Sequence, residues 1–194
     1  MTSYVALLRA VNVGGTGKLP MGELKAMCEA AGFADVRTYI ASGNVVFGSR
    51  LAGKAVKKAL EQRLQEYAGK PVGVMVRTAA EMAAVLAANP FPEAAGNRTM
   101  AIFLDAPPAA TALQDVTGAT GERLLLGRRE IYVHYGEGMA GSRLKIPAAK
   151  AGTARNMNTI AKLAGMAAGK PAGQGSNDPS RLAAAGHRYD AIHH

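Results

Sequence analysis

The sequence has no tryptophan, one cysteine and four histidines in 194 residues, and each scarcity excludes a class of site. A single cysteine cannot build a disulfide framework or a cysteine-rich metal site. Three histidines, His187, His193 and His194, stand in the last eight residues, which leaves His134 alone in the rest of the chain. A histidine-dependent triad or histidine-rich metal site is therefore not expected, and no metal or cofactor is predicted.

Long apolar runs are absent as well. No stretch reaches the roughly 18 residues that a membrane-spanning helix needs. The first residues, MTSYVALLRAVNV, contain neither a basic leader nor a small-residue cleavage site. We therefore expect a soluble, cytoplasmic protein with no membrane partner, in which 48% hydrophobic residues supply a sizeable core.

Acidic residues are few relative to basic ones, and the net charge is +9. Residues from Lys170 onward contribute only +1, so residues 1–169 carry +8. This surplus favours a polyanion or an anionic small molecule as partner. The end of the chain is poor in large apolar residues and closes on His-His, so residues 170–194 are predicted to be a disordered or vector-derived tail.

The order of apolar patterns predicts two related halves. Residues 4–77 read as β-α-β-β-α-β, which is the split ferredoxin-like unit. A capping-box pattern, Thr78-Ala-Ala-Glu, then predicts a helix that ends before Pro90.

Residues 99–167 repeat β-α-β-β-α, with helices predicted at PPAATALQDV and from Thr153 onward. We predict an α+β fold of duplicated ferredoxin-like halves, residues 1–89 and 90–169, the second half lacking its last strand.

Two isolated residue types have ordinary interpretations. Cys28 shares a helical stripe with Leu24 and Met27, which predicts a buried packing residue rather than a nucleophile. His134 stands in an alternating strand pattern and is interpreted as a strand histidine at or near the surface.

The segment RAVNVGGTGKLPM, residues 9–21, lies between a strand and a helix pattern. It is not the phosphate loop of nucleotide hydrolases, because Asn12 and Leu19 stand where that loop needs glycine and Ser or Thr. Free N–H groups in such a turn can still hold an anion. Asn12, Gly14, Gly15 and Lys18 are therefore candidate ligand-binding residues; the alternatives are a tight turn with Asn12 bonded to the backbone, and a solvated lysine.

Two arginines need hydrogen-bond acceptors or an anionic partner. Arg9 interrupts a strand, and it either emerges at the strand end beside the glycine loop or is buried with a partner. Arg155 is predicted in the first turn of the last helix, with Thr153 or Asn156 as cap, where a cation opposes the helix dipole unless an anion is present. Both arginines, Thr153 and Asn156 are candidate ligand-binding residues. Alternatively, the arginines bond the two halves together.

Other polar groups give weaker signals. Ser142 and Arg143 lie in a long glycine-rich loop that could contribute to a basic rim and are also candidate ligand contacts. Ser42-Gly43-Asn44 is interpreted as a hairpin turn. No base accompanies either serine and no paired-carboxylate motif occurs, so the residues do not decide between catalysis and binding.

Four segments together resemble a bacterial family known only as a domain of unknown function. They are LLRAVNVGG (7–15), TYIASGNVVF (38–47), G-x-G-x-x-x-S-x-L (136–144) and TARNMNT (153–159). The resemblance spans residues 4 to about 167 and implies an α+β fold of two ferredoxin-like halves, with no established activity. Met157 stands where an aromatic is expected after Arg155-Asn156.

These observations predict a binding protein for a phosphate-bearing ligand, with nucleic acid as the first choice because of the charge and a sheet of the kind that RNA-binding modules use. Only 5% of residues are aromatic, and Tyr39 and Phe47 are the nearest stacking candidates, Phe47 being expected in the core. The alternative is a small-molecule enzyme or sensor with an anion pocket between the halves. The oligomeric state is not predicted.

Overall fold

The computed structural model describes residues 1–12 and 18–169. The predictions about Gly14, Gly15 and the tail 170–194 lie outside these residues. The strands are β1 Thr2–Leu8, β2 Ala34–Thr38, β3 Asn44–Ser49, β4 Val74–Thr78, β5 Thr99–Phe103, β6 Arg123–Leu126, β7 Glu130–His134 and β8 Thr153–Asn156. The helices are α1 Met21–Ala30, α2 Gly53–Ala68, α3 Ala79–Ala87 and α4 Met157–Ala167, with 3₁₀ turns at Gly96–Arg98 and Pro147–Ala149.

The first sheet has the strand order β2-β3-β1-β4, with all neighbours antiparallel. α1 connects β1 to β2 and α2 connects β3 to β4, as in the predicted split ferredoxin-like unit. Leu24 and Cys28 of α1 and Leu60 of α2 are fully buried in one cluster with Ala6 and Leu8. Burial raises the pKa of the Cys28 thiol to about 12, so it is a packing residue as predicted.

The second sheet repeats that order as β6-β7-β5-β8, which confirms the duplicated α+β architecture. The prediction that the second half lacks its last strand is wrong. Thr153–Asn156 forms β8 and pairs antiparallel with β5. The four residues alternate buried and exposed side chains, but the buried ones are Thr153 and Arg155, so the strand carries no apolar pattern.

The predicted helix at PPAATALQDV is also wrong. Residues 110–115 form hydrogen-bonded turns instead. Within residues 110–115, Leu113 is the one large apolar residue, and it is only partly buried. The segment therefore has no apolar stripe that could pack a helix against the sheet. In this half, loops replace both helices of the ferredoxin-like unit.

Helices α3 and α4 lie between the two sheets. Val5 and Leu7 of β1 share one buried cluster with Ile160 of α4 and with Ala101 and Phe103 of β5. Alternate β1 residues face α1 and α2 on the other side, which explains why β1 reads as a continuous apolar run. The far face of the second sheet packs against loop residues that include Leu113, Leu144 and Ile146.

A buried ion pair also joins the two halves. Arg77 in β4 is 1% exposed; its Nε lies 3.3 Å from Oε1 of Glu130, and its Nη2 donates to the Leu104 carbonyl at 2.6 Å. Its guanidinium lies over the Phe103 ring, 5.4 Å from the centroid. Burial is the main cause that lowers the pKa of Arg77. Among the described helices, none is long and apolar enough to cross a membrane.

Candidate functional site

Three of the segments that carry the family resemblance meet where β1 ends. The Leu8 amide donates to the Gly43 carbonyl at 2.8 Å, which holds the β2–β3 turn against β1. The Asn12 side chain donates to the Ala41 carbonyl of the same turn at 2.7 Å. β8 reaches this place from the second half through Arg155.

Arg155 uses all five of its N–H donors inside the protein. Nε donates to Asn44 Oδ1 at 2.6 Å. Nη1 donates to Thr153 Oγ1 at 2.8 Å and to the Ala154 carbonyl at 2.9 Å. Nη2 donates to the carbonyls of Leu8 at 2.9 Å and Ser42 at 3.0 Å. The guanidinium therefore joins β8 to β1 and to the β2–β3 turn, and no N–H remains for a ligand.

No described carboxylate pairs with Arg155, which is 7% exposed. Burial lowers its pKa to about 10, so the group stays charged at neutral pH and is stabilised by uncharged carbonyl, amide and hydroxyl acceptors. The prediction that Arg155 opposes the dipole inside the first helical turn is wrong, because it lies in β8, before α4 begins. Its placement matches the alternative in which it bonds the halves together.

Thr153 and Asn156 also bond within the chain. Thr153 accepts from Arg155, and Asn156 is the N-cap of α4, accepting from the Thr159 amide at 2.8 Å. The Ser42-Gly43-Asn44 turn is a hairpin turn as predicted, but it does more than reverse the chain. Asn44 is fully buried and orients Arg155.

The Asn12 side chain bonds the backbone of Leu19. Its Oδ1 accepts from the Leu19 amide at 2.7 Å, while Nδ2 donates to the Leu19 carbonyl at 2.9 Å. Asn12 therefore bonds the backbone, as its alternative interpretation held.

Non-glycine residues adopt left-handed backbone angles around this junction. Ala10, Asn12 and Ile40 have φ values of 52°, 55° and 48°. A β-branched residue is rarely found in this region, and Ile40 is also 52% exposed. Such strain costs on the order of 1–3 kcal/mol per residue and clusters at functional sites. This backbone strain makes the end of β1 a candidate ligand site.

A cleft of about 690 Å³ opens beside this junction, and we call it the basic cleft. It lies where the chain leaves β1, enters β4 and leaves α2. Its described lining is Arg9, Ala10, Val11, Lys18, Leu19, Leu64, Tyr67, Ala68, Lys70, Pro71, Val72 and Gly73. These residues include three cations and no carboxylate. Arg9 and Lys18 are sequence-predicted ligand residues that the structure brings together here.

Arg9 emerges past the end of β1, as one of its two predicted placements required. Its backbone amide donates to the Gly73 carbonyl at 2.9 Å. Its Nε donates to the Gly152 carbonyl at 3.2 Å, and Nη2 donates to that of Lys150. Neither Arg9 nor Lys18 forms an ion pair with a described carboxylate. Arg9 thus connects the wall of the cleft to the second half.

Sequence reasoning missed Tyr67 and Lys70. Tyr67 continues the stripe of Val56, Leu60 and Leu64 along α2, yet it is 48% exposed and lines the cleft from the last turn of the helix. Gly69 then ends α2 with a left-handed φ of 70°, and Lys70 follows at the rim. The available signal was an aromatic residue at the end of a helical pattern, followed closely by Gly69 and Lys70.

Ser142 and Arg143 lie elsewhere. Ser142 Oγ donates to Glu122 Oε1 at 2.5 Å, and this bond is the main cause that lowers the pKa of Glu122. Arg143 is exposed beside Gly118. Neither residue lines the basic cleft, so the structure does not bring them together with Arg9 and Lys18.

The described lining of the basic cleft contains no histidine, cysteine or carboxylate. His134 is half-buried in β7, with Nδ1 3.4 Å from Thr99 Oγ1. Across residues 1–12 and 18–169, no group of three or more His, Cys, Asp or Glu side chains is placed to hold a metal ion.

The family described as "Protein of unknown function (DUF1697)" matches residues 1–132. The chain belongs to the DUF1697 family. The matched part contains every described residue of the basic cleft. Segments 136–144 and 153–159, which also carried the resemblance, lie beyond it.

A solved structure has a fold similar to that of this chain. The conserved bacterial protein SP0830 from Streptococcus pneumoniae is similar over 86% of this chain and 98% of its own, with a TM-score of 0.71 and 23% identity. At that identity the similarity extends to the fold alone. No curated protein matches the chain.

Proposed function

We propose that this protein binds a small phosphate-bearing molecule in the basic cleft. The observation that carries the proposal is the charge of the described lining, where Arg9 and Lys18, neither of them in an ion pair with a described carboxylate, border one cavity that Lys70 also lines. Like charges around a shared space repel one another unless an anion joins them. A phosphate group supplies that charge together with several acceptor oxygens.

The size of the cleft favours a small molecule. At about 690 Å³ it lies within the roughly 300–1,000 Å³ that ligand sites of small molecules occupy. The backbone strain at Ala10 and Ile40 adds support, because it lies at the chain segments that border or adjoin this cleft.

The sheets give less support to nucleic acid. RNA-binding ferredoxin-like modules stack bases on an open sheet face. Here helices cover both faces of the first sheet, and loops cover the outer face of the second. Phe47 is 1% exposed and stacks on Phe33, while Tyr39 packs against the core. The charge of +8 on residues 1–169 keeps nucleic acid as the second candidate.

The test is calorimetric titration of the full chain with inorganic pyrophosphate at low salt. Lys18→Gln should weaken binding by roughly fivefold or more, since it removes a charge-assisted contact. Lys58→Gln is the matched control, because Lys58 is an exposed lysine of α2 outside the cleft. No binding by the wild-type protein, or equal loss in both variants, would overturn the proposal.

A second titration addresses nucleic acid. Fluorescence anisotropy with labelled single-stranded RNA at about 50 and 200 mM salt detects a multi-phosphate contact as a loss of orders of magnitude in affinity. If the affinity for RNA falls steeply as the salt concentration rises, and pyrophosphate does not bind, the ligand is a polyanion and the small-molecule proposal fails.

A further inference from the structure

The basic cleft has two chemically different walls. Arg9 and Lys18 follow β1 and precede α1, and they supply charge on one side. Tyr67 and Ala68 at the end of α2, with Val72, supply apolar and aromatic surface on another part of the lining. An inorganic anion would use the first wall and leave the second in contact with water.

Tyr67 is the unusual part of the second wall. Nearly half of its surface is exposed, although it continues a buried helical stripe. A tyrosine side chain has two rotatable angles, so it offers a flat surface at small entropic cost. Beside cations, such a ring is suited to stack on a planar heterocycle.

We infer that the ligand of the basic cleft is a nucleotide, with its phosphate held by Arg9, Lys18 and Lys70 and its base stacked on Tyr67. This inference rests on the proposed phosphate binding and names the class of molecule that uses both walls. The same chemistry is found in a free nucleotide and in the terminal nucleotide of a strand.

The lining also sets the expected selectivity. Its described side chains include no amide, carboxylate or aliphatic hydroxyl that could read the edge of a base. Stacking tolerates every base, because each has a π face. The cleft should therefore distinguish a nucleotide from a sugar phosphate strongly, and one base from another weakly.

The experiment compares AMP, UMP and ribose 5-phosphate by calorimetry at one ionic strength. AMP should bind roughly 5- to 100-fold more tightly than ribose 5-phosphate, from the stacking of one base. UMP should lie within a few-fold of AMP. Tyr67→Leu should abolish the difference between AMP and ribose 5-phosphate, while Tyr67→Phe should keep it, with circular dichroism confirming that both variants fold.

The outcomes separate the two proposals. Equal affinity for AMP and ribose 5-phosphate overturns the nucleotide assignment, and a difference that survives Tyr67→Leu overturns the stacking of the base on Tyr67. Both results leave phosphate binding in place. If AMP, UMP, ribose 5-phosphate and pyrophosphate all fail to bind, both the phosphate-binding proposal and the nucleotide assignment are overturned. A 5′-phosphorylated oligoribonucleotide that binds more tightly than AMP, and depends on Tyr67, supports the assignment and identifies a strand end as the source.

Discussion

Arg155 is a buried cation whose only described partners are the chain's own uncharged acceptors. Its planar fork reaches β1, the β2–β3 turn and its own strand at once. A lysine keeps the charge but concentrates three donors on one atom, which cannot reach acceptors on three segments.

We expect Arg155→Lys to lower the free energy of unfolding by about 2–4 kcal/mol, because buried acceptors lose their donors. Urea denaturation followed by circular dichroism measures this loss. Arg143→Lys, in an exposed loop, should change it by less than about 0.5 kcal/mol. Similar values for the two variants would contradict the structural role given to Arg155.

At the scale of elements, the start of α3 was predictable in detail. Thr78 Oγ1 accepts from the Glu81 amide at 3.1 Å, and Glu81 Oε2 accepts from the Thr78 amide at 2.8 Å. The same glutamate bonds Arg129 of the second half through Oε1 at 2.9 Å. One residue thus serves both a helix cap and the junction between halves.

Thr78→Ala should destabilise the protein by about 1 kcal/mol, the usual loss for a helix N-cap. Glu81→Gln keeps an oxygen for the cap and removes the partly exposed ion pair, so its effect should be smaller, below about 1 kcal/mol. Thermal unfolding of both variants compares them. A larger loss in Glu81→Gln would show that the ion pair outweighs the cap.

The first half was predictable because its elements have strong patterns: β1, α1, the β2–β3 hairpin and α2 each show a clear period or turn signal. In the second half, β8 has four residues with polar side chains facing inward, and the segment before β6 lacks an apolar stripe. Their structure is set by contacts with distant strands, which local sequence does not encode.

The candidate site was predictable in part for the same reason. Arg9 and Lys18 were found because they flank a glycine-rich loop next to a strand. Tyr67 and Lys70 were missed because their place in the cleft depends on how the end of α2 packs beside residues distant in the sequence.

At the scale of the whole molecule, the two halves share one core. Side chains from both sheets meet α3 and α4 in a single buried cluster. Opening the second half therefore uncovers the inner face of the first, and the free energies of the two events are linked.

Native-state hydrogen exchange should give the same opening free energy for the central strands β1 and β5, equal to that of global unfolding. The edge strand β6, which has only β7 as neighbour, should exchange through smaller openings. Two-dimensional NMR resolves these amides. Much faster exchange in β5 than in β1 would show that the halves unfold independently.

The position of α4 also affects how the chain is made. α4 is the last described helix, yet it covers the inner face of a sheet that is complete at Thr78. Roughly 90 residues separate these points, which a ribosome adds in about 5–20 s. During that interval Val5, Leu7 and Val46 of the nascent chain lack the helix that packs against them, so the emerging chain exposes apolar surface that favours aggregation.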